Sequence, residues 1–174
     1  MSKHLDSLGP EMKMRMNELV RICAQEGVEI LVYCGLRTME GQARLYRKSR
    51  GISEINHKRQ SYIDRDLPFL AEVLDSIGPQ AGELGKHVTK AGPGESWHQY
   101  RQAADCVPLI GGKAIWDDTH PAWEIYGFAA RYCGLTWAGD WKSFKEMPHV
   151  QLQQTSNPIT YYKLPETIKE ALGL

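Results

Sequence analysis

The sequence has no charge of one sign to spare: 21 lysines and arginines stand against 21 aspartates and glutamates, for a net charge of zero. A binder that works by neutralising phosphates needs a basic surplus, so nucleic acid is excluded as the main partner. Long apolar runs are also missing. Stretches such as Glu29-Ile-Leu-Val-Tyr-Cys34 fall far short of the ~20 apolar residues that cross a bilayer, which excludes membrane insertion. The first residues, Met-Ser-Lys-His-Leu-Asp, hold no signal-peptide core. Cysteine is scarce and scattered, at Cys23, Cys34, Cys106 and Cys133, with no Cys-x-x-Cys. Without an export signal these four are expected as free buried thiols rather than disulfides. Internal repeats and low-complexity tracts are absent. What remains is 174 residues, 42% of them hydrophobic, enough for one ordinary globular domain spanning 1–174 and its core.

Periodicity outlines the elements. Met12, Met16, Leu19, Val20 and Cys23 recur at helical spacing between Pro10 and Gln25, and Gly27 closes that helix. A strand is expected from Val28 to Cys34, then a helix from Thr38, as cap, to Lys48. Ser49 to Gln60 is basic and polar enough to be a mobile loop, with Lys58 and Arg59 as solvated surface. Leu67 to Ile77 reads as a helix ended by Gly78-Pro79. Ile110-Gly-Gly-Lys113 signals a hairpin; Thr119-His-Pro-Ala-Trp-Glu opens a helix to about Cys133, with Thr119 or Asp118 as cap; a last short helix starts at Pro165. Helices before and between a few antiparallel strands make an α+β domain, a small antiparallel sheet flanked by helices.

The chemistry concentrates in two short stretches. Ser96-Trp-His-Gln-Tyr-Arg-Gln-Ala-Ala-Asp105 holds His98 and Asp105, and Glu146-Met-Pro-His149 adds a second histidine with an acid three residues before it. Hydrolytic zinc is commonly held by three nitrogen or oxygen ligands, leaving one position for a water whose pKa the metal lowers. Two histidines and an aspartate meet that need, with Glu146 left over as a base. Arg101 to Ile110 alternates as a strand entered from the glycine-rich Lys90-Ala-Gly-Pro-Gly-Glu-Ser96, which puts His98 at the strand mouth. His149-Val-Gln-Leu-Gln153 alternates likewise and is placed beside it, and the proline between Glu146 and His149 favours a turn.

At these residues the chain resembles a family. Gly85-Lys-His-Val-Thr-Lys-Ala-Gly-Pro-Gly-Glu-Ser-Trp-His98, running on to Asp105, is similar to the Ser-x-His-x(6)-Asp signature of peptidase family M15. That group comprises D-Ala-D-Ala carboxypeptidases and L-alanyl-D-glutamate endopeptidases. Leu135-Thr-Trp-Ala-Gly-Asp-Trp141 with Phe144-Lys-Glu-Met-Pro-His-Val-Gln-Leu152 resembles its second signature, and Gly35-Leu-Arg-Thr-Met-Glu-Gly-Gln42 its early arginine motif. The three blocks keep the family's order over roughly residues 28–153. The resemblance implies the hedgehog/DD-peptidase-like zinc peptidase fold, Zn2+ held by His98, Asp105 and His149, and Glu146 as general base. It also implies that Arg37 and Ser96 contact a carboxylate of a peptidoglycan stem peptide. The activity it implies is a metallopeptidase, most nearly an L-alanyl-D-glutamate endopeptidase of the phage or prophage lysin type. Such an enzyme, with no separate wall-binding domain, would be a monomer made in the cytoplasm and acting on the wall after release. The alternatives are a D-Ala-D-Ala carboxypeptidase or dipeptidase, and, from another class, an inactive wall-binding module.

Two positions depart from the family pattern. Arg101 stands where members usually carry glycine, so either the turn differs here or a bulky cation lines the cleft. Endopeptidase relatives often have aspartate where this chain has Glu146, and both accept a proton. Plainer readings apply elsewhere. His4, His57 and His120 are expected as ordinary surface or core histidines, whereas His87 approaches the site. Cys106, though next to Asp105, should point to the opposite face of its strand into the core. Trp97, Trp137 and Trp141 could stack on substrate or fill core, with packing favoured for Trp137. Asp140 is either a partner of a ligand histidine or a turn residue.

Overall fold

The computed structural model describes residues 3–78 and 87–174. Pro79, expected to help end a helix, and Gly85 and Lys86, which begin the glycine-rich segment, lie outside them. In chain order the elements are α1 (Lys3–Asp6), α2 (Pro10–Gln25), β1 (Glu29–Cys34), α3 (Met39–Arg47), α4 (Ile52–Ile63), α5 (Pro68–Ser76) and β2 (Ala103–Ile110). They continue with β3 (Lys113–Ala114), α6 (Ala122–Tyr132), β4 (Thr136–Trp137), β5 (His149–Gln151), α7 (Pro158–Tyr162) and α8 (Pro165–Leu172). A short 3-10 turn, Trp97–Tyr100, precedes β2. The α+β class expected from the sequence is what the chain adopts. The residues fall into two compact units, 1–36 with 100–154 and 37–99 with 155–174.

The first unit is built on an antiparallel sheet of order β1-β2-β5-β4, with β3 hairpinned onto β2. Gly111 and Gly112 both take positive φ, as the two-residue turn of that hairpin requires. One face of the sheet is apolar. Val32, Ala104, Cys106 and Val150 pack there against Met12, Met16, Leu19 and Cys23 of α2 and Trp123, Tyr126 and Ala130 of α6. The i, i+4, i+7 spacing on α2 makes that stripe, and each such side chain contributes roughly 1.5–3 kcal/mol by leaving water. Trp137 belongs to this core and donates from Nε1 to the Met147 carbonyl at 2.7 Å. The cap of α6 is neither Thr119 nor Asp118: the His120 Nδ1 accepts from the Ala122 N–H at 3.1 Å, while Thr119 is turned back onto Asp117.

The second unit is helical, with a core of Ala43, Tyr46, Ile55, Tyr62, Leu67, Leu70, Leu74, Ile159 and Ile168. Thr38 caps α3 as expected, its Oγ1 accepting from the Gly41 N–H at 3.0 Å. The loop expected over Ser49 to Gln60 is instead helix α4. Its polar residues form the solvated side, and burial of Ile55 and Tyr62, seven residues apart, holds the other. Lys58 is not plain surface either. It pairs at 2.8 Å with Glu95, a buried carboxylate that also accepts from the Gly92 N–H. Tyr62 donates to the Pro93 carbonyl at 2.8 Å, so the glycine-rich loop is tied down on the face of α4. Gly94, at φ +76°, sits so close to Leu70 that a Cβ would collide with it.

Candidate functional site

Within the first unit, β2 and β5 pair so that Asp105 lies opposite His149 and Ala104 opposite Val150. Ala104 and Val150 face the core; the alternation of a strand therefore turns Asp105 and His149 together onto the other face. Their side chains meet, with His149 Nδ1 3.1 Å from Asp105 Oδ1. The other ring nitrogen, Nε2, lies 3.1 Å from Gln151 Oε1, two residues along the same face of β5. Gln151 is buried, and its own Nε2 donates to the Gln153 carbonyl, which leaves its oxygen as the atom facing the ring. An amide oxygen only accepts, so the imidazole proton belongs on Nε2. With the proton on that nitrogen, Nδ1 is the ring atom that faces a carboxylate oxygen. An imidazole nitrogen and a carboxylate oxygen set side by side on one strand face are a donor pair that suits a divalent metal ion.

The turn expected between Glu146 and His149 is present and fixes the Glu146 backbone. Its N–H donates to the Ala138 carbonyl and its own carbonyl accepts from the His149 N–H at 3.1 Å, across Met147-Pro148. Pro148 lacks an N–H but its carbonyl takes two bonds, from the Cys106 N–H and the Tyr126 hydroxyl, both 3.0 Å. The segment is thus pinned to β2 and α6 by the backbone. Trp141 lies half-buried with its ring centroid 5.8 Å from that of His149, walling one side. Asp140 is the turn residue of its two readings: it ends a 3-10 turn and faces Arg131 at 3.6 Å. Burial raises the Tyr33 hydroxyl well above its ordinary pKa, and the negative charges of Asp105 and Glu146 add to the effect.

Two further residues of this unit were not singled out in the sequence. Gln151 was legible in principle, since i and i+2 share a strand face. Cys34 was not: the pairing of β1 with β2 shifts register between Val32 and Cys34, so that Cys34 rather than Tyr33 stands opposite Asp105. Cys106, by contrast, is wholly buried on the core face as expected, with its thiol pKa pushed up by burial. None of the four cysteines forms a disulfide, as expected. Cys23 and Cys106 are buried; Cys34 and Cys133 are only half so.

His98, Ser96 and Arg37 belong to the second unit. His98 is buried in the 3-10 turn that follows Ser96, itself buried, at the end of the glycine-rich loop. The His98 carbonyl accepts from the Arg37 N–H at 3.3 Å. The Arg37 guanidinium donates from Nη1 to Gln42 Oε1 at 2.9 Å, and Gln42, fully buried, donates in turn to the Ala91 carbonyl at 2.6 Å. Gln42 therefore locks Arg37 to the loop that leads into Ser96 and His98. Trp97 packs rather than offering a face, its Nε1 donating to the Thr155 carbonyl at 2.6 Å. His87 is exposed and lies 3.1 Å from the Ser49 carbonyl; His57 is exposed on α4.

Arg101 adopts φ +59°, the left-handed conformation that glycine takes freely and arginine only at a cost, so this turn is strained. Its guanidinium is spent on the N-terminal segment, donating to the Ser7 carbonyl at 2.8 Å and the Leu8 carbonyl at 3.3 Å, while its own carbonyl accepts from the Gly9 N–H.

The chain is similar to known proteins. Residues 89–152 match the profile of an M15 peptidase family described as D-alanyl-D-alanine carboxypeptidase. That span includes His98, Asp105, Glu146 and His149. The peptidoglycan L-alanyl-D-glutamate endopeptidase CwlK of Bacillus subtilis is 26% identical over 153 residues, covering 83% of this chain and 73% of its own. A crystal structure of the L-Ala D-Glu endopeptidase ChiX of Serratia marcescens superposes at a TM-score of 0.42 with 18% identity, over 93% of this chain and 89% of that one. The resemblance read from the three sequence blocks is thereby borne out.

Proposed function

We propose that this relative of the M15 peptidases is a zinc-dependent hydrolase of peptidoglycan that cuts the L-alanyl-D-glutamate bond of the stem peptide. The observation that carries it is the Asp105–His149 pair, with Gln151 fixing the ring so that Nδ1 and a carboxylate face each other as metal donors do. The choice of bond follows the relationship to CwlK over most of both chains.

In this reading His98, Asp105 and His149 would hold the cation, the sequence pattern supplying His98. A divalent cation there would polarise a carbonyl and lower the pKa of water. Glu146 takes the proton of the attacking water and hands it to the leaving amine. Its backbone bonds to Ala138 and His149 fix where that carboxylate can reach. Arg37, oriented by Gln42, offers a planar fork to a substrate carboxylate, and Ser96 lies one residue from the turn that carries His98. The chain is proposed to act as a monomer, with the bacterial wall as its place of action.

The second reading, removal of a terminal D-alanine, is favoured by the description attached to the matching profile. Mass spectrometry of muropeptides after digestion decides between them. A new L-alanine carboxyl terminus supports the endopeptidase; loss of D-alanine replaces it with the carboxypeptidase; unchanged muropeptides leave a wall-binding module. Glu146→Gln is expected to retain zinc by elemental analysis while turnover falls by at least ~100-fold, the scale of lost general acid–base catalysis. Activity at the wild-type level in that variant would remove Glu146 from its role.

A further inference from the structure

Cys34 stands where ordinary pairing would not put it. Val32 pairs with Cys106 on the core face of the sheet. Two residues on, uninterrupted alternation would set Cys34 opposite Ala104, also on the core face. Instead β1 carries an extra residue at Tyr33, and Cys34 pairs with Asp105. Such a bulge lets two residues oppose one and re-aims the second side chain. Its effect here is to move a thiol from the apolar face to the face that bears Asp105 and His149.

Three adjacent strands therefore present a single row, Cys34 on β1, Asp105 on β2 and His149 on β5. Directly paired side chains on neighbouring strands start about 4.5–5.5 Å apart at Cβ, close enough to share one ion. The Cys34 sulfur lies within 4.8 Å of an Asp105 carboxylate oxygen, and His149 Nδ1 lies 3.1 Å from Asp105 Oδ1. Cys34 is half-buried, so the sulfur is neither sealed in the core nor free in bulk water. Its Sγ lies 3.9 Å from the Gly35 carbonyl oxygen.

We propose that Cys34 is a further donor to the cation held by Asp105 and His149, giving the site a soft sulfur ligand beside its nitrogen and oxygen ones. The step is a ligand exchange without redox change: the S–H bond breaks, its proton leaves to solvent, and the sulfur lone pair goes to the cation. A sulfur there occupies a position that hydrolysis needs for water. Turnover would then require the sulfur to yield that position to water. The proposal rests on the metallopeptidase reading above.

Cobalt(II) added to the metal-free full-length protein tests it. A thiolate on cobalt gives a near-ultraviolet charge-transfer band, whereas visible d–d bands report cobalt bound by any donors. The expected result is both sets of bands in the wild type, loss of the charge-transfer band alone in Cys34→Ser, and its retention in Cys106→Ser. Zinc should also protect Cys34 from alkylation by iodoacetamide, as read by peptide mass spectrometry. Visible bands without the charge-transfer band, or a band that survives Cys34→Ser, would overturn the proposal and leave the metallopeptidase reading standing. A folded protein that binds neither cobalt nor zinc would overturn both.

Discussion

At the scale of single residues, the site depends on side chains that hold others in place. Gln151 makes no contact that sequence reading would have prized, yet its oxygen decides which nitrogen of His149 faces Asp105. Partners of this kind typically account for 10–100-fold in metal affinity, so at the proposed zinc site Gln151→Leu should weaken binding by about that factor in a chelator competition. An unchanged affinity would show that the tautomer is set elsewhere. Arg101 allows a cleaner separation of backbone from side chain. Its left-handed φ costs roughly 1–2 kcal/mol in any residue but glycine, and its guanidinium recovers part of that through the Ser7 and Leu8 carbonyls. Arg101→Ala keeps the strain and loses the bonds, whereas Arg101→Gly loses both. The glycine variant should therefore be about 1 kcal/mol more stable than the alanine variant by urea denaturation; equal midpoints would mean the turn relaxes. The arginine at a glycine position was visible in the sequence, but where its charge points was not, because Ser7 and Leu8 are more than ninety residues away.

At the scale of elements, alternation and caps were legible where neighbours in sequence decide the outcome. The α2 stripe, the Thr38 cap and the Gly111-Gly112 hairpin are local patterns, and they hold. The failures come from distant partners. Ser49 to Gln60 looks like a loop until Ile55 and Tyr62 are given a core to enter and Glu95 is given Lys58. The bulge in β1 is likewise invisible in Glu29-Ile-Leu-Val-Tyr-Cys34, since it exists only relative to β2. What holds the end of β1 is Gly35. A Cβ there would run into the His4 carbonyl and the Ser7 hydroxyl, the latter bonded to His4 O at 2.7 Å and accepting from the Leu36 N–H at 2.9 Å. Gly35→Ala must push α1 away from the strand, at about 1–3 kcal/mol, the usual cost of overpacking. Thermal unfolding would read this as a lowered midpoint, and the Cys34 thiol should become more reactive toward Ellman's reagent as the strand end loosens. A midpoint within error of wild type would mean that α1 does not brace β1.

At the scale of the whole molecule, composition counts apolar residues but does not say that they gather in two cores, one under the sheet and one among α3, α4, α5 and α8. All four thiols belong to the first unit, and two of them are sealed in its core. That makes alkaline pH a selective stress. Burial pushes the Cys23 thiol from 9.0 up to about 12, and it raises Cys106 and the Tyr126 hydroxyl in the same direction. In the unfolded chain these groups ionise near their ordinary values; in the folded chain they stay neutral to higher pH. The unfolded state therefore binds fewer protons above pH 9, and stability that is fully present below that value drains away as the pH climbs toward 12. Urea midpoints at rising pH should fall across this window, and the fall should be shallower in Cys23→Ala even though that variant is less stable at neutral pH. A midpoint that stays level through the window would mean that the first core admits water to its thiols. The loss should register first in hydrogen exchange of α2 and α6, the helices that cover Cys23 and Cys106, because among the described residues the second core holds no cysteine.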